Sequence, residues 1–289
     1  MNKAIIFVLT ILFIICLQVI IGITAIKPFI FTWGATDQEV SMPMPGDHLA
    51  PFISSTRSIT INAPISAVWD WLIQLGADRG GFYSYWFIEN PLGYKYRSQH
   101  RIEPEFKNMK IGRMITASLD PSKSVIKYSW PVVAVDLGKS FVVKGWGCFM
   151  LNKIGPGQTR LIVRTHGRPL RSWADHLEYF CMMPMHYLME RRMLMGIKVR
   201  AEAGPGLPFS STVDILWFAG ICLSLIGIIG LLMINQSVRV GLLATLYSIL
   251  WLGVLFILDP IPSFCMILLL VVVINLGWLF KARMRSTPT

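Results

Sequence analysis

The chain has 289 residues, of which 54% are hydrophobic and only 15% charged, and a net charge of +11. Soluble proteins carry roughly a quarter charged residues, so an ordinary soluble composition is excluded for the chain as a whole. The basic excess is spread out, 21 basic against 14 acidic residues over 28–212, with no Lys/Arg-rich block. That distribution argues against a nucleic-acid partner and suits a membrane surface.

Residues 4–26, "AIIFVLTILFIICLQVIIGITAI", carry no charge and are long enough as a helix to cross about 30 Å of hydrocarbon. The apolar run exceeds that of a secretory signal and no A-x-A-like site follows, so an uncleaved anchor is expected. "TRSITIN" (56–62) alternates as a half-buried strand, and "APISAVWDWLIQLG" (63–76) places Val68, Trp71, Leu72 and Leu75 at helical spacing. "DRGGFYSYWFIEN" (78–90) follows. Here a second short helix is expected, entered through the Gly80–Gly81 pair. Short strands are expected at 111–118, 124–130, 132–135, 140–145, 147–153 and 159–166, parted by "DPSK", "DLGK" and "GPGQ". In the last of these, Leu161, Val163 and Thr165 should face one way, and Arg160, Arg164 and His166 the other.

A long helix is expected over 172–204, bent or divided by Pro184. A "GPGLP" linker (204–212 in all) leads to three further apolar spans near 213–234, 240–258 and 263–280, the last entered beyond Pro260 and Pro262. Asp214 is expected at the mouth of the first of these, among headgroups. Lys3, Arg239, Lys281, Arg283 and Arg285 outnumber Lys27, Lys198 and Arg200 at the span ends. The positive-inside rule therefore puts both termini in the cytoplasm and 28–212 outside.

The stretches "WGATDQEV…P-x-PGD", "STRSITINAPISAVWDWLIQLG", "RGGFYSYWFIENPLG", "HRIEPEF" and "TRLIVRTHGRP" together resemble the SRPBCC (START-like) superfamily, in particular its bacterial polyketide-cyclase/dehydrase-like members. The resemblance covers about residues 33–203. It implies an α+β helix-grip fold, an antiparallel sheet curled around the long C-terminal helix, enclosing a deep apolar cavity for a lipid-like molecule. With one N-terminal and three C-terminal transmembrane helices (213–281), the chain would be a multi-pass protein of a bacterial cytoplasmic membrane. One departure stands out: where members tend to have Asp-Trp after "FYSY", this chain has Trp86 and Phe87.

The candidate ligand-binding residues are Trp71, Tyr83, Tyr85, Trp86, Glu89, Arg101, Tyr128 and Trp146. Tyrosines offer an apolar body with one hydroxyl, the mixture that orients a mostly apolar guest. The resemblance puts "GGFYSYWFIEN" over the cavity mouth as a lid hinged on its glycines, and Arg79 or Arg101 could hold it shut through Glu89. The methionines at 182, 183, 185, 189, 193 and 195 would adapt to guests of differing shape, or pack the core. His186 and Glu190, four apart, could pair or share a metal, but no zinc spacing, phosphate loop or nucleophile elbow is present and no metal or cofactor is expected. Cys148 and Cys181 could be bonded, although buried free thiols fit the pattern better. Three functions follow: a membrane-anchored binding or transfer domain for a hydrophobic molecule, a cyclase- or dehydrase-type enzyme using Tyr83, Tyr85, Glu89, Arg101 or His166, or a structural membrane protein with a plugged interior.

Overall fold

The computed structural model describes residues 3–96, 98–120, 122, 129–204, 210–234 and 237–286. In chain order its elements are α1 (Lys3–Ile21), continued through a π turn into α2 (Lys27–Thr32), α3 (Asp37–Ser41), β1 (Ile53–Ile61), α4 (Ile65–Leu72), α5 (Trp86–Glu89), β2 (Met114–Thr116), β3 (Ser129–Asp136), β4 (Ser140–Val143), β5 (Gly147–Gly155), β6 (Gln158–His166), α6 (Trp173–Ala203), α7 (Thr212–Ile234), α8 (Val238–Leu252) and α9 (Pro262–Ser286). They divide into two compact units, one of Met1–Phe29 with Ser210–Thr289, the other of Ile30–Phe209.

Among the described residues, four helical stretches are long and apolar enough to cross a membrane: Phe7–Thr32, which ends just inside the second unit, and Thr212–Ile234, Val238–Ile257 and Pro262–Lys281 in the first. Small residues let these helices approach closely, as lipid-embedded helices require. A side-chain carbon on Gly227 would sit 2.6 Å from Val272, and one on Gly241 would sit 2.6 Å from Thr10. Polar side chains bond within the bundle: Gln18 Nε2 donates to Ser248 Oγ at 2.6 Å, and Asn275 Nδ2 to the Tyr247 hydroxyl at 3.0 Å. Asp214 is buried at 5% exposure rather than open to headgroups.

The second unit is α+β. Its six strands form one antiparallel sheet in the order β1-β6-β5-β4-β3-β2. The β5–β6 hairpin turns on Pro156–Gly157, with Gly157 at φ 69°, the conformation a turn with Pro first and Gly second demands. Pro131 does not break the sheet: its carbonyl accepts from Lys144 N, and β3 runs through it with a register shift at Val132/Ala134. The earlier part of the expected 124–130 strand, with Tyr128, lies outside the described residues.

The core joins Leu161, Val163, Phe149 and Phe141 of the sheet to Trp69 and Leu72 of α4 and Leu194 and Ile197 of α6. The expected 63–76 helix ends at Leu72. The carbonyls just beyond its end are taken by the buried Arg113 guanidinium, which donates to Ile73 O, the C-cap residue, at 2.6 Å and to Leu75 O. Burial pulls Arg113 down to about 10.

The opposite sheet face is covered by residues 33–47. Arg160 reaches Glu39, and Arg164 reaches Asp47 and the carbonyls of Glu39, Val40 and Met42. Helix α6 begins in a capping box, Ser172 with Asp175, and continues undivided through Pro184. Proline removes one helical hydrogen bond there without ending the helix, and its neighbours Cys181, Met182 and Met185 are exposed. Cys148 and Cys181 are both free: the first is buried in the sheet, the second is exposed on α6.

Candidate functional site

Between the first half of α6 and one end of the sheet lies a cavity of about 470 Å³. The volume falls in the usual range of small-molecule sites. Each wall has its own chemistry. Helix α6 contributes Met182, Met183, Met189 and Met193, spaced so that the flexible thioethers share one face, with Tyr179, His186 and Glu190 between them. The 82–94 segment contributes Phe82, Ser84, Glu89 and Tyr94. The β3 strand and the β4–β5 connection contribute Trp130, Gly145 and Trp146, and β1 and β6 add Ser54, Thr165 and His166.

A chain of rings lines one end. Phe82 meets Tyr96 edge-on at 5.4 Å and lies 6.0 Å from Trp146, which is 5.2 Å from Trp130. Beside them Glu89 is 3% exposed, and the Tyr96 hydroxyl donates to its Oε2. Burial pushes the Glu89 carboxyl up against the opposing hydrogen bonds from Tyr96 and Ser84. Burial and the neighbouring carboxylate together push the Tyr96 phenol up as well.

The other end is polar and paired. Arg57, fully buried on β1, donates to Glu190 and, at 2.6 Å, to Ile30 O, and lies over the Tyr187 ring at 5.3 Å. His186 Nδ1 sits 3.4 Å from both Arg57 Nη1 and Glu190 Oε2, and Thr165 Oγ1 is 3.3 Å from the same carboxylate. About a third of the His186 side chain is accessible, yet its crowded setting pulls the imidazole down, with Arg57 adding and Glu190 opposing. His166 is likewise lowered by burial, against the pull of Asp47. His186 and Glu190 therefore pair, as one reading of their spacing held, and no group of three metal-binding side chains occurs among the described residues.

Of the eight candidate residues, Glu89 and Trp146 line this cavity. Tyr128 is outside the described residues. Trp71 and Tyr83 belong to the main core instead: the Tyr83 hydroxyl donates to Trp71 O at 3.1 Å, and the Arg200 guanidinium lies over both rings, at 4.6 Å from Tyr83 and 5.9 Å from Trp71. Burial raises the Tyr83 phenol. Tyr85 is buried at the start of α5, where its carbonyl accepts from Ile88 N and Glu89 N. Trp86 packs half-buried against Ala77, Tyr94, Tyr96 and Ala117. Arg101 is three-quarters exposed and bonds Glu103, and Arg79 donates to Phe106 O, so neither reaches Glu89.

The glycines do not form a free hinge. Gly76 and Gly81 exchange two backbone hydrogen bonds, Gly80 N donates to Gln74 O at 2.7 Å, and a side chain on Gly80 would collide with Gln74 and Tyr83. They are small because the chain passes close to itself.

Sequence reasoning missed Arg57, Tyr94, Trp130 and Thr165. Arg57 carried a signal: it shares the inward face of β1 with Ile59 and Ile61, and a cation on an apolar strand face calls for a buried anion.

No family model, curated protein or solved structure matches the chain.

Proposed function

We propose that residues 33–203 form a helix-grip binding domain of the SRPBCC type that holds a hydrophobic, lipid-like molecule and exchanges it with the membrane that anchors it. The observation that carries this reading is the 470 Å³ cavity, walled by four methionines on one side and by Phe82, Tyr94, Trp130 and Trp146 on the other. Methionine adapts to guests of different outline, and aromatic faces give large apolar contact with few rotatable bonds. The first half of α6 supports exchange with lipid: beside Met182, itself a lining residue, the helix leaves Trp173, Leu177 and Phe180 exposed. The basic residues at the span ends favour an extracytoplasmic domain, which protease access on intact cells tests.

The test of function is extraction of the purified full chain for mass spectrometry, beside Met189→Trp, which fills the cavity. A hydrophobic molecule recovered from the first and depleted in the second is expected. Equal recovery from both, or none from either, refutes the reading. The cyclase- or dehydrase-type alternative would draw on Glu89 and His166, the two of its five candidate groups that line the cavity.

A further inference from the structure

Among the described residues three carboxyl side chains line the cavity, and two have a cation beside them. Glu190 is paired with Arg57, and Glu178 with Arg168 at 2.7 Å. Glu89 differs. Among the described residues no Lys, Arg or His bonds or ion-pairs with it, and the side-chain groups that do bond it are the neutral hydroxyls of Tyr96 and Ser84. A carboxylate in this position is costly until a cation reaches it.

The same end of the cavity is aromatic. Phe82 packs on Tyr96, the phenol that bonds Glu89, and Trp146 and Trp130 continue the wall. Tyr94 N donates to the Glu89 carbonyl at 3.4 Å, which keeps a further ring at this end. Ring faces attract cations, tryptophan most strongly, and rings around a carboxylate are the combination that holds ammonium groups. The indole Nε1 of Trp146 is also buried without a partner among the described residues, a donor left for a guest's oxygen.

We propose that the Glu89 end of the cavity takes the ammonium group, alkylated or not, of a guest whose apolar tail lies along Met183, Met189 and Met193. The inference rests on the binding reading above and narrows its ligand to cationic or zwitterionic amphiphiles. Anionic amphiphiles such as fatty acids are disfavoured, because three carboxyls face the space and Arg168 is engaged by Glu178 and Asp175. A phospholipid headgroup and a free long-chain amine share this chemistry.

The full chain in an uncharged polyoxyethylene detergent is incubated with equal amounts of dodecyltrimethylammonium, dodecylphosphocholine, dodecanol and dodecanoate. It is then freed of excess by gel filtration, and the retained molecules are quantified by mass spectrometry. Glu89→Gln, of nearly the same shape, is treated alike. Dodecyltrimethylammonium is expected at about tenfold over dodecanol, with dodecanoate least. In the variant the ammonium falls to about the level of dodecanol, whose own retention is unchanged. Dodecylphosphocholine retained as well as the simple ammonium assigns a phospholipid headgroup, and its exclusion assigns a free amine. Dodecanol or dodecanoate retained as well as the ammonium, or equal ammonium retention by both proteins, overturns the inference and leaves the binding reading standing. Retention of none of the four overturns both. Should Glu89→Gln fail to fold, the order of retention in the unaltered protein decides.

Discussion

Arg164 on β6 donates to Asp47 Oδ2 at 2.7 Å, and its remaining donors meet the carbonyls of Met42, Glu39 and Val40 and the Thr56 hydroxyl. One guanidinium thus fastens residues 39–47 to the sheet. Arg164→Met should cost about 3 kcal/mol, the low end for a broken buried pair because Asp47 keeps 27% of its side chain in solvent. Hydrogen exchange should show protection lost first at 36–50, and a uniform loss across the sheet would contradict the fastening role.

Arg57 and Glu190 are paired with almost no solvent exposure. Removing only the anion, in Glu190→Ala, leaves a buried guanidinium and should destabilise by about 3–5 kcal/mol. Chemical denaturation of the full chain measures it. A combined Arg57→Met, Glu190→Met variant should recover much of the loss, since neither charge is then stranded.

Two carboxyls should give opposite pH signatures. Burial raises Glu39, but Arg160 and the Thr36 amide overcome it and hold the group down at about 2. Its contribution is present above its unfolded value near 4.5 and is lost as pH falls towards 2, so Glu39→Gln should flatten the acid limb of stability. Glu89 is shifted the other way, mainly by burial. Its contribution is complete below about 4.5 and is lost as pH rises through its higher folded value. Glu89→Gln should therefore gain stability relative to the unaltered protein between acid and neutral pH. Melting curves from pH 3 to 8 read both, and parallel profiles would contradict the assignment.

Gly196 lies where α6 meets Tyr83: an added side-chain carbon would sit 2.5 Å from Tyr83 O and 2.8 Å from Tyr83 Cβ. Tyr83 holds a φ of 55°, a strained setting with no room to yield. Gly196→Ala should lower stability by about 1–3 kcal/mol, although alanine is the better helix former. A neutral or stabilising effect would show that this contact is slack.

The aromatic segment 82–87 is the clearest case of partial legibility. Its rings were evident as a cluster, and so was the choice between cavity wall and core. The chain divides them: Phe82 reaches the cavity, whereas Tyr83 and Tyr85 turn into buried packing. That division depends on backbone angles at Gly81 and Tyr83 and on the position of Gly196 in α6, more than a hundred residues away. Arg101 failed as a partner for Glu89 for a related reason: Glu103, two residues on, offers a carboxylate that Arg101 meets while three-quarters of its own side chain stays in solvent.

What the sequence determined by itself was whatever repeats along a single element. The apolar lengths of the four candidate spans among the described residues, the alternation that makes β1 and β6 amphipathic, and the methionine-rich face of α6 are all properties of neighbours in the chain. Tertiary structure alone decided which cation met which anion and which rings were left around open space. Those outcomes turn on side chains brought together across the sheet, where Arg57 finds Glu190 from 133 positions away and Glu89 finds no cation among the described residues. Burial then pushes the Glu89 carboxyl up, a shift that no local pattern of residues contains.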